Sequence, residues 1–426
     1  MAWLRLVGGH YLPPLARSLG WYHARVRRHR EETSNGAVRP LAVFRLVLCL
    51  LIVALLGSQL HAQELPPAEK LHLAEYLKAH WQSSEDYVVS KFAQYDIVFI
   101  GEFHRIRHDP LLIQALIPRL YKAGVHNLGI EFGVYDDQAQ VDRLLTADKY
   151  DENAARQLIF HHNPAWGYKE YIDIYHAAWE LNHSLPKDAP KFRVVNLNYA
   201  GHWQALTGER TPEVMRKVWY KGDPDEYMAQ VVLHEFVRRG QKALVYSGKH
   251  HAFTRYRQPR YNFEEKKFYG FGEPRMGNLV YEQIPAKVFN IVLHSPWPSK
   301  RSYNDLALPV KGAIDQVMQG FKDQRVGFDV KGSPFGLLPD SDTYYAVGYE
   351  HFTLETLSDG YIFLGPMNEY EGCTVDPLFV TDQNFTEAVA QLDDPEERKQ
   401  VKTPADLIRL MQEDADIPRT FRALRQ

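Results

Sequence analysis

Cysteine is nearly missing: Cys49 and Cys373 are the whole complement of a 426-residue chain. Two thiols, one of them inside an apolar stretch near the N-terminus, exclude a disulfide framework, a cysteine zinc site and an iron–sulfur cluster. An excess of either charge is missing as well. A formal net charge of −3 argues against nucleic acid as the main partner. There is no internal repeat and no low-complexity tract, and the main apolar run falls short of the roughly twenty residues of a spanning helix. What remains, 45% hydrophobic and 24% charged residues, is the composition of a soluble globular protein. The length allows a large core and two or three domains. Histidine numbers 19, so a chance pair of imidazoles carries little weight.

The N-terminal stretch is basic, with Arg25, Arg27, Arg28 and Arg30 close together. An apolar run at 46–56 follows, then Gly57, Ser58 and a polar start at Gln63. A basic flank, a short apolar run and small residues describe a secretory signal peptide cleaved near Ala62. The alternative is an uncleaved membrane anchor over residues 41–60. The expected organisation is a leader at 1–62, a helical lead-in at 63–92, an α/β domain at 93–370 and a charged, partly helical extension at 371–426. The expected location is secreted or periplasmic, with membrane contact only through an uncleaved leader.

Apolar runs at 96–100, 127–130, 192–197, 243–247, 288–293 and 360–366 read as strands, and helical periodicity fills most of the intervals. The pattern predicts an α/β fold: a mostly parallel central sheet flanked by helices, with helical insertions capping the carboxyl ends of the strands. A strand, a helix and a second strand within residues 96–130 predict a βαβ unit whose two strands are neighbours. Residues 255–277, basic, aromatic and glycine-rich, read as a mobile loop.

Ionisable residues gather where these strands end. The first runs into Gly101-Glu102-Phe103-His104 with His108 four residues on, the second into Glu131, and the fourth into Gly248-Lys249-His250-His251. In a parallel sheet that edge is where ligands bind. Carboxylates and imidazoles brought together suit general acid–base hydrolysis, or a divalent ion held by nitrogen and oxygen ligands. Sequence spacing does not separate the two. Each residue alone also has an ordinary role open to it: His108-Asp109-Pro110 as a helix cap, His161 and His162 as surface or lid residues, His294 as a donor to a backbone carbonyl. The case for function rests on the convergence of Glu102, His104, Glu131 and His251.

Those motifs, with Gly129-Ile130-Glu131-Phe132-Gly133 and with Trp166, Tyr168 and Tyr171 before a helix, resemble the superfamily that joins erythromycin esterases, ChaN-like haem-binding proteins and Tiki proteases. The motif spacing is closest to the ChaN-like branch. The esterase pattern sets its Glu and His further apart than Glu102 and His104. The resemblance implies an α/β fold with Glu102, His104, Glu131 and His251 as catalytic or metal-binding residues; beside it, His108, His250 and, from the basic stretch at 255–277, Arg275 are supporting candidates. Arg275 would neutralise an anionic group of the substrate. The branches imply different cofactors: a divalent metal ion, haem, or none in the esterase manner. The expected activity is hydrolysis of an ester or amide bond in a small-molecule or peptide substrate. The alternative is haem or metal binding without turnover.

Overall fold

A computed structural model describes residues 64–424; the expected leader lies outside the described residues. Two helices, α1 (Pro67–His80) and α2 (Ser84–Lys91), lead into a seven-stranded sheet. Its strands are β1 (Ile97–Glu102), β2 (Asn127–Val134), β3 (Arg193–Asn198), β4 (Ala243–Gly248), β7 (Val288–Leu293), β10 (Val326–Asp329) and β11 (Gly360–Phe363), in the order β10-β11-β7-β1-β4-β2-β3. Two small hairpins stand outside it, β5 (Pro259–Asn262) with β6 (Lys267–Phe271) and β8 (Trp297–Pro298) with β9 (Leu306–Ala307). Within the main sheet all pairs are parallel except that between β10 and β11. The α/β sheet expected from the apolar runs is present.

Burial on both faces explains why the central strands read as continuous apolar runs. Every residue of β1, β4 and β7 is buried. Alternate residues serve opposite layers, as the pleat requires. Val98 and Ile100 share a core with α3 (His108–Lys122), α4 (Gln138–Thr146), α5 (Glu152–His162) and α6 (Lys169–Ser184). Ile97 and Phe99 face the other layer, where α7 (Pro224–Glu235) packs through Met228, Ala229 and Val232. A third apolar cluster joins Leu73 and Leu77 of α1 to Val326 and Phe328 of β10 and to Tyr361 and Phe363 of β11. Among the described residues no helix is long and apolar enough to cross a membrane.

Two expectations need correction. The strands of the first βαβ unit are not neighbours, because β4 lies between β1 and β2 and pairs with both. Its residues, buried on both faces, fill that place, and local spacing does not encode such a pairing. Residues 255–277 are not a loop: they form the β5–β6 hairpin and the start of a further helix at Met276–Gln283. Asn262 turns the hairpin by accepting the backbone N–H groups of Glu264 and Glu265, and Tyr261 anchors it in the core.

Candidate active site

The register of the sheet builds the site. Glu102, the last residue of β1, is paired with Gly248, the last residue of β4, and Glu131 lies on β2 at the other side of β4. Two residues before Gly248, Tyr246 points to the same face. Its hydroxyl donates to Glu102 Oε2, while Tyr171 of α6 donates to Oε1 at 2.6 Å and His104 Nδ1 to the same oxygen at 2.7 Å. A carboxylate that is 1% exposed is thereby satisfied by three donors. The bond also orients the imidazole of His104: with Nδ1 turned to the carboxylate, the neutral form of the ring keeps its lone pair on Nε2.

His104 is held from its edges by Trp166, at 5.0 Å and 90°, and by Phe132, at 5.8 Å and 81°. Gly248 gives it room. A Cβ there would lie 2.6 Å from His104 Cε1, 2.9 Å from Nε2 and 3.5 Å from Glu131 Oε2, so Nε2 and Glu131 flank the same point of β4. Gly101 serves the same approach of β1 to the turn, since its Cβ would meet Lys249 Cα at 2.7 Å.

Beyond Gly248 the chain makes one turn of helix, α8 (Lys249–Ala252). A step of about 100° per residue fans its side chains in three directions. Lys249 Nζ reaches Ser295 Oγ at 2.8 Å and the Pro296 carbonyl at 3.1 Å; burial pushes the amine down to about 7, against the pull of Asp109. His250 Nε2 shares a 2.8 Å hydrogen bond with the Tyr345 hydroxyl, and burial holds the ring well below the usual histidine range. His251 turns to the site, with Nε2 3.4 Å from Glu131 Oε1 and Nδ1 2.5 Å from Asp225 Oδ1. Burial would discharge His251, but Asp225 and then Glu131 outweigh it and raise the imidazole to about 9. Glu131 is likewise charged against the effect of burial, by His251, His104 and the Gly248 N–H that donates to Oε2 at 2.7 Å.

The structure thus brings Glu102, His104, Glu131 and His251 together in two carboxylate–imidazole pairs. His108 is elsewhere, opening α3 with its ring against Tyr370 and near Arg325 and Glu371. Arg275 arrives indirectly. Its Nη1 donates to Asp225 Oδ2 at 2.8 Å, so its first partner is the carboxylate that holds His251. Asp225 also accepts the Met276 N–H at 2.9 Å, and His251, followed by Arg275, keeps its carboxyl well below the usual range despite burial. Sequence reading missed Asp225 because it looks like the second acid of a helix start, after the cap Asp223 and Pro224. It missed Tyr246 because the tyrosine is one more apolar residue in a strand. His161 pairs with Asp137 at 2.8 Å, whereas His162 lies within electrostatic reach of Glu131 and His104, and burial pushes it down to about 4. His294 bonds side chains, Tyr361 at 2.7 Å and Asp315 at 3.2 Å, in place of the expected carbonyl.

The turn after β1 is set by Arg105, a non-glycine residue at φ 70°. Its N–H donates to Tyr171, Nε to Tyr168, and Nη2 pairs with Asp414 at 3.2 Å, over the face of Trp166. That many partners hold a left-handed residue in place.

The donor set does not suit a divalent ion. Both oxygens of Glu102 are spent on hydroxyls and an imidazole, and among the described residues no group of three or more His, Cys, Asp and Glu side chains is placed to hold a metal. Haem ligation finds the nearby tyrosines already engaged: Tyr171 and Tyr246 with Glu102, Tyr168 with the Met411 carbonyl, Tyr345 with His250.

No protein-family model matches the sequence, and no curated protein matches it. Solved structures do. A succinoglycan biosynthesis protein aligns with a TM-score of 0.50 at 9% identity, over 73% of this chain and 100% of its own, which shows a shared fold. A mutant of the erythromycin esterase EreC in its open conformation aligns at 0.46 with 11% identity, over 71% of this chain and 100% of its own. ChaN of Campylobacter jejuni, with cofacially bound haem, aligns at 0.33 or less: 0.32 with 13% identity, over 52% of this chain and 90% of its own.

Proposed function

We propose that the protein is a hydrolase that uses His104 to activate water against an ester or amide carbonyl. The observation that supports this is the pairing of two imidazoles with opposite duties across Glu131. His104, oriented by Glu102, offers Nε2 to take a proton from water. His251, charged at neutral pH, offers a proton and a positive field where the carbonyl oxygen becomes an anion. Glu131 lies between them and can hold the water. Water attacks the carbonyl carbon as its proton passes to His104; the intermediate then collapses as the leaving oxygen or nitrogen takes a proton, and acid and alcohol or amine depart. No nucleophilic side chain is required. Export to the periplasm or beyond belongs to the same proposal and is supported by the apolar run at 46–56.

The test is a panel of ester and peptide substrates, with and without chelator, on the wild type and on His104→Ala and the double variant Glu131→Ala/His251→Ala. Turnover by the wild type and a loss of about 10²–10⁴-fold in the variants is the expected result. Full hydrolysis by a folded double variant would dispose of the proposal.

A further inference from the structure

We infer that the mouth of this site holds a subsite for an aromatic ring bearing a negative charge, formed by Tyr303, Phe263 and Arg275. Tyr303 sits in the loop between β8 and β9. That loop is pinned by Ser299, whose backbone and hydroxyl both bond Asp305, and by the Arg301–Asp305 ion pair at 2.7 Å. The tyrosine is 41% exposed, yet it is not a stray surface ring. It meets His250 at 6.4 Å and 65°, Phe263 at 6.4 Å and 79°, and Tyr344 at 5.8 Å and 75°, all edge-on. Phe263, from the β5–β6 hairpin, stacks on Tyr344 at 5.6 Å and 29°. Rings from separate segments converge beside the residue that precedes His251. The exposed part of the Tyr303 ring is open to a planar guest, while its edge-on neighbours hold the ring in place.

The charge comes from Arg275, whose side chain is 31% exposed. Asp225 engages Nη1 on the inner side, while Nη2 has a long contact of 3.5 Å to Gln258 Oε1 and remains a weakly used donor. Gln258 ties this guanidinium to the ring cluster, its Oε1 facing Nη2 while its Nε2 lies 3.3 Å from Nδ1 of His250, whose ring Tyr303 meets. Guanidinium forks match carboxylate geometry and lie readily against aromatic faces. Ring and anion would thus be recognised side by side, one ion pair away from His251. The position of the scissile bond relative to this subsite rests on the proposed hydrolase; binding at the subsite does not.

Calorimetric titration of the full chain with phenylacetate, acetate and benzyl alcohol tests the inference. Phenylacetate is expected to bind about tenfold more tightly than either partial mimic, the scale of one aromatic contact or one charge-assisted bond. Tyr303→Ala should remove the advantage over acetate and Tyr303→Phe should keep it, with melting curves confirming that both fold. Equal binding of acetate and phenylacetate, no binding of phenylacetate, or an unchanged advantage in Tyr303→Ala would overturn it. Phenylacetate binding without turnover of any substrate would leave the subsite standing and remove the hydrolase.

Discussion

At the scale of single residues, the site depends on small spaces and on one displaced proton. Gly248→Ala would drive a methyl group into the ring of His104, which is 2.6 Å from that point. The ring can yield only by leaving Glu102, Trp166 or Phe132. The variant is expected to fold, at a cost of about 1–3 kcal/mol, and to lose about 10²-fold in turnover on any substrate the wild type accepts. The proton on His251 sets a pH signature. An imidazole raised from 6.5 to about 9 contributes stability that is complete below pH 6.5 and is lost as pH climbs to 9. About 3 kcal/mol should disappear across that window in denaturant unfolding, and His251→Gln should not show the decline. Loss of charge on His251 should also end turnover on the alkaline side, and Asp225→Asn should move that limb to lower pH.

At the scale of elements, helix α3 shows how the layers hold the strand ends in place. Leu112, Ile113, Leu116, Ile117 and Leu120 repeat at helical spacing and are all buried against β1 and β2, while Leu111 is 40% exposed. Leu116→Ala is expected to cost about 2–5 kcal/mol and Leu111→Ala less than about 0.5, measured by chemical denaturation. This helix was legible from its sequence, as were the central strands, because their apolar periods are local. What was hidden depends on distant partners. The insertion of β4 between β1 and β2, the meeting of Asp225 with His251 and the role of Tyr246 all follow from pairings that no window of sequence contains. The strand β10 was missed because its four residues, Val326–Asp329, include a glycine and an aspartate and lie at the sheet edge. The β5–β6 hairpin was read as a loop because its glycines and lysines are as common in loops. The four central site residues were visible because each comes just after, or at the end of, an apolar run in the sequence, although β2 itself continues past Glu131 to Val134.

At the scale of the whole molecule, the C-terminal residues are part of the site's foundation. The Cys373 N–H donates to the Arg105 carbonyl at 2.9 Å, Gly372 bridges Ile106, Met411 accepts from Tyr168, and Phe421 packs edge-on to Phe103 at 5.4 Å. Leu392, Leu407, Met411, Ile417 and Phe421 are each buried to within 1%. At about 1.5–3 kcal/mol apiece, their loss rivals the 5–15 kcal/mol by which a domain is stable. A chain ending at residue 370 is expected to lack a cooperative thermal transition by calorimetry. The sheet order has a further consequence, for synthesis. While the ribosome makes residues 135–242, β1 and β2 exist without the strand that belongs between them, and each carries an unsatisfied edge of buried, apolar character. Such edges recruit other chains. The nascent protein therefore has a long interval of vulnerability, closed only when β4 emerges, and the same event that ends it delivers Gly248 and His251 to the two acids already waiting.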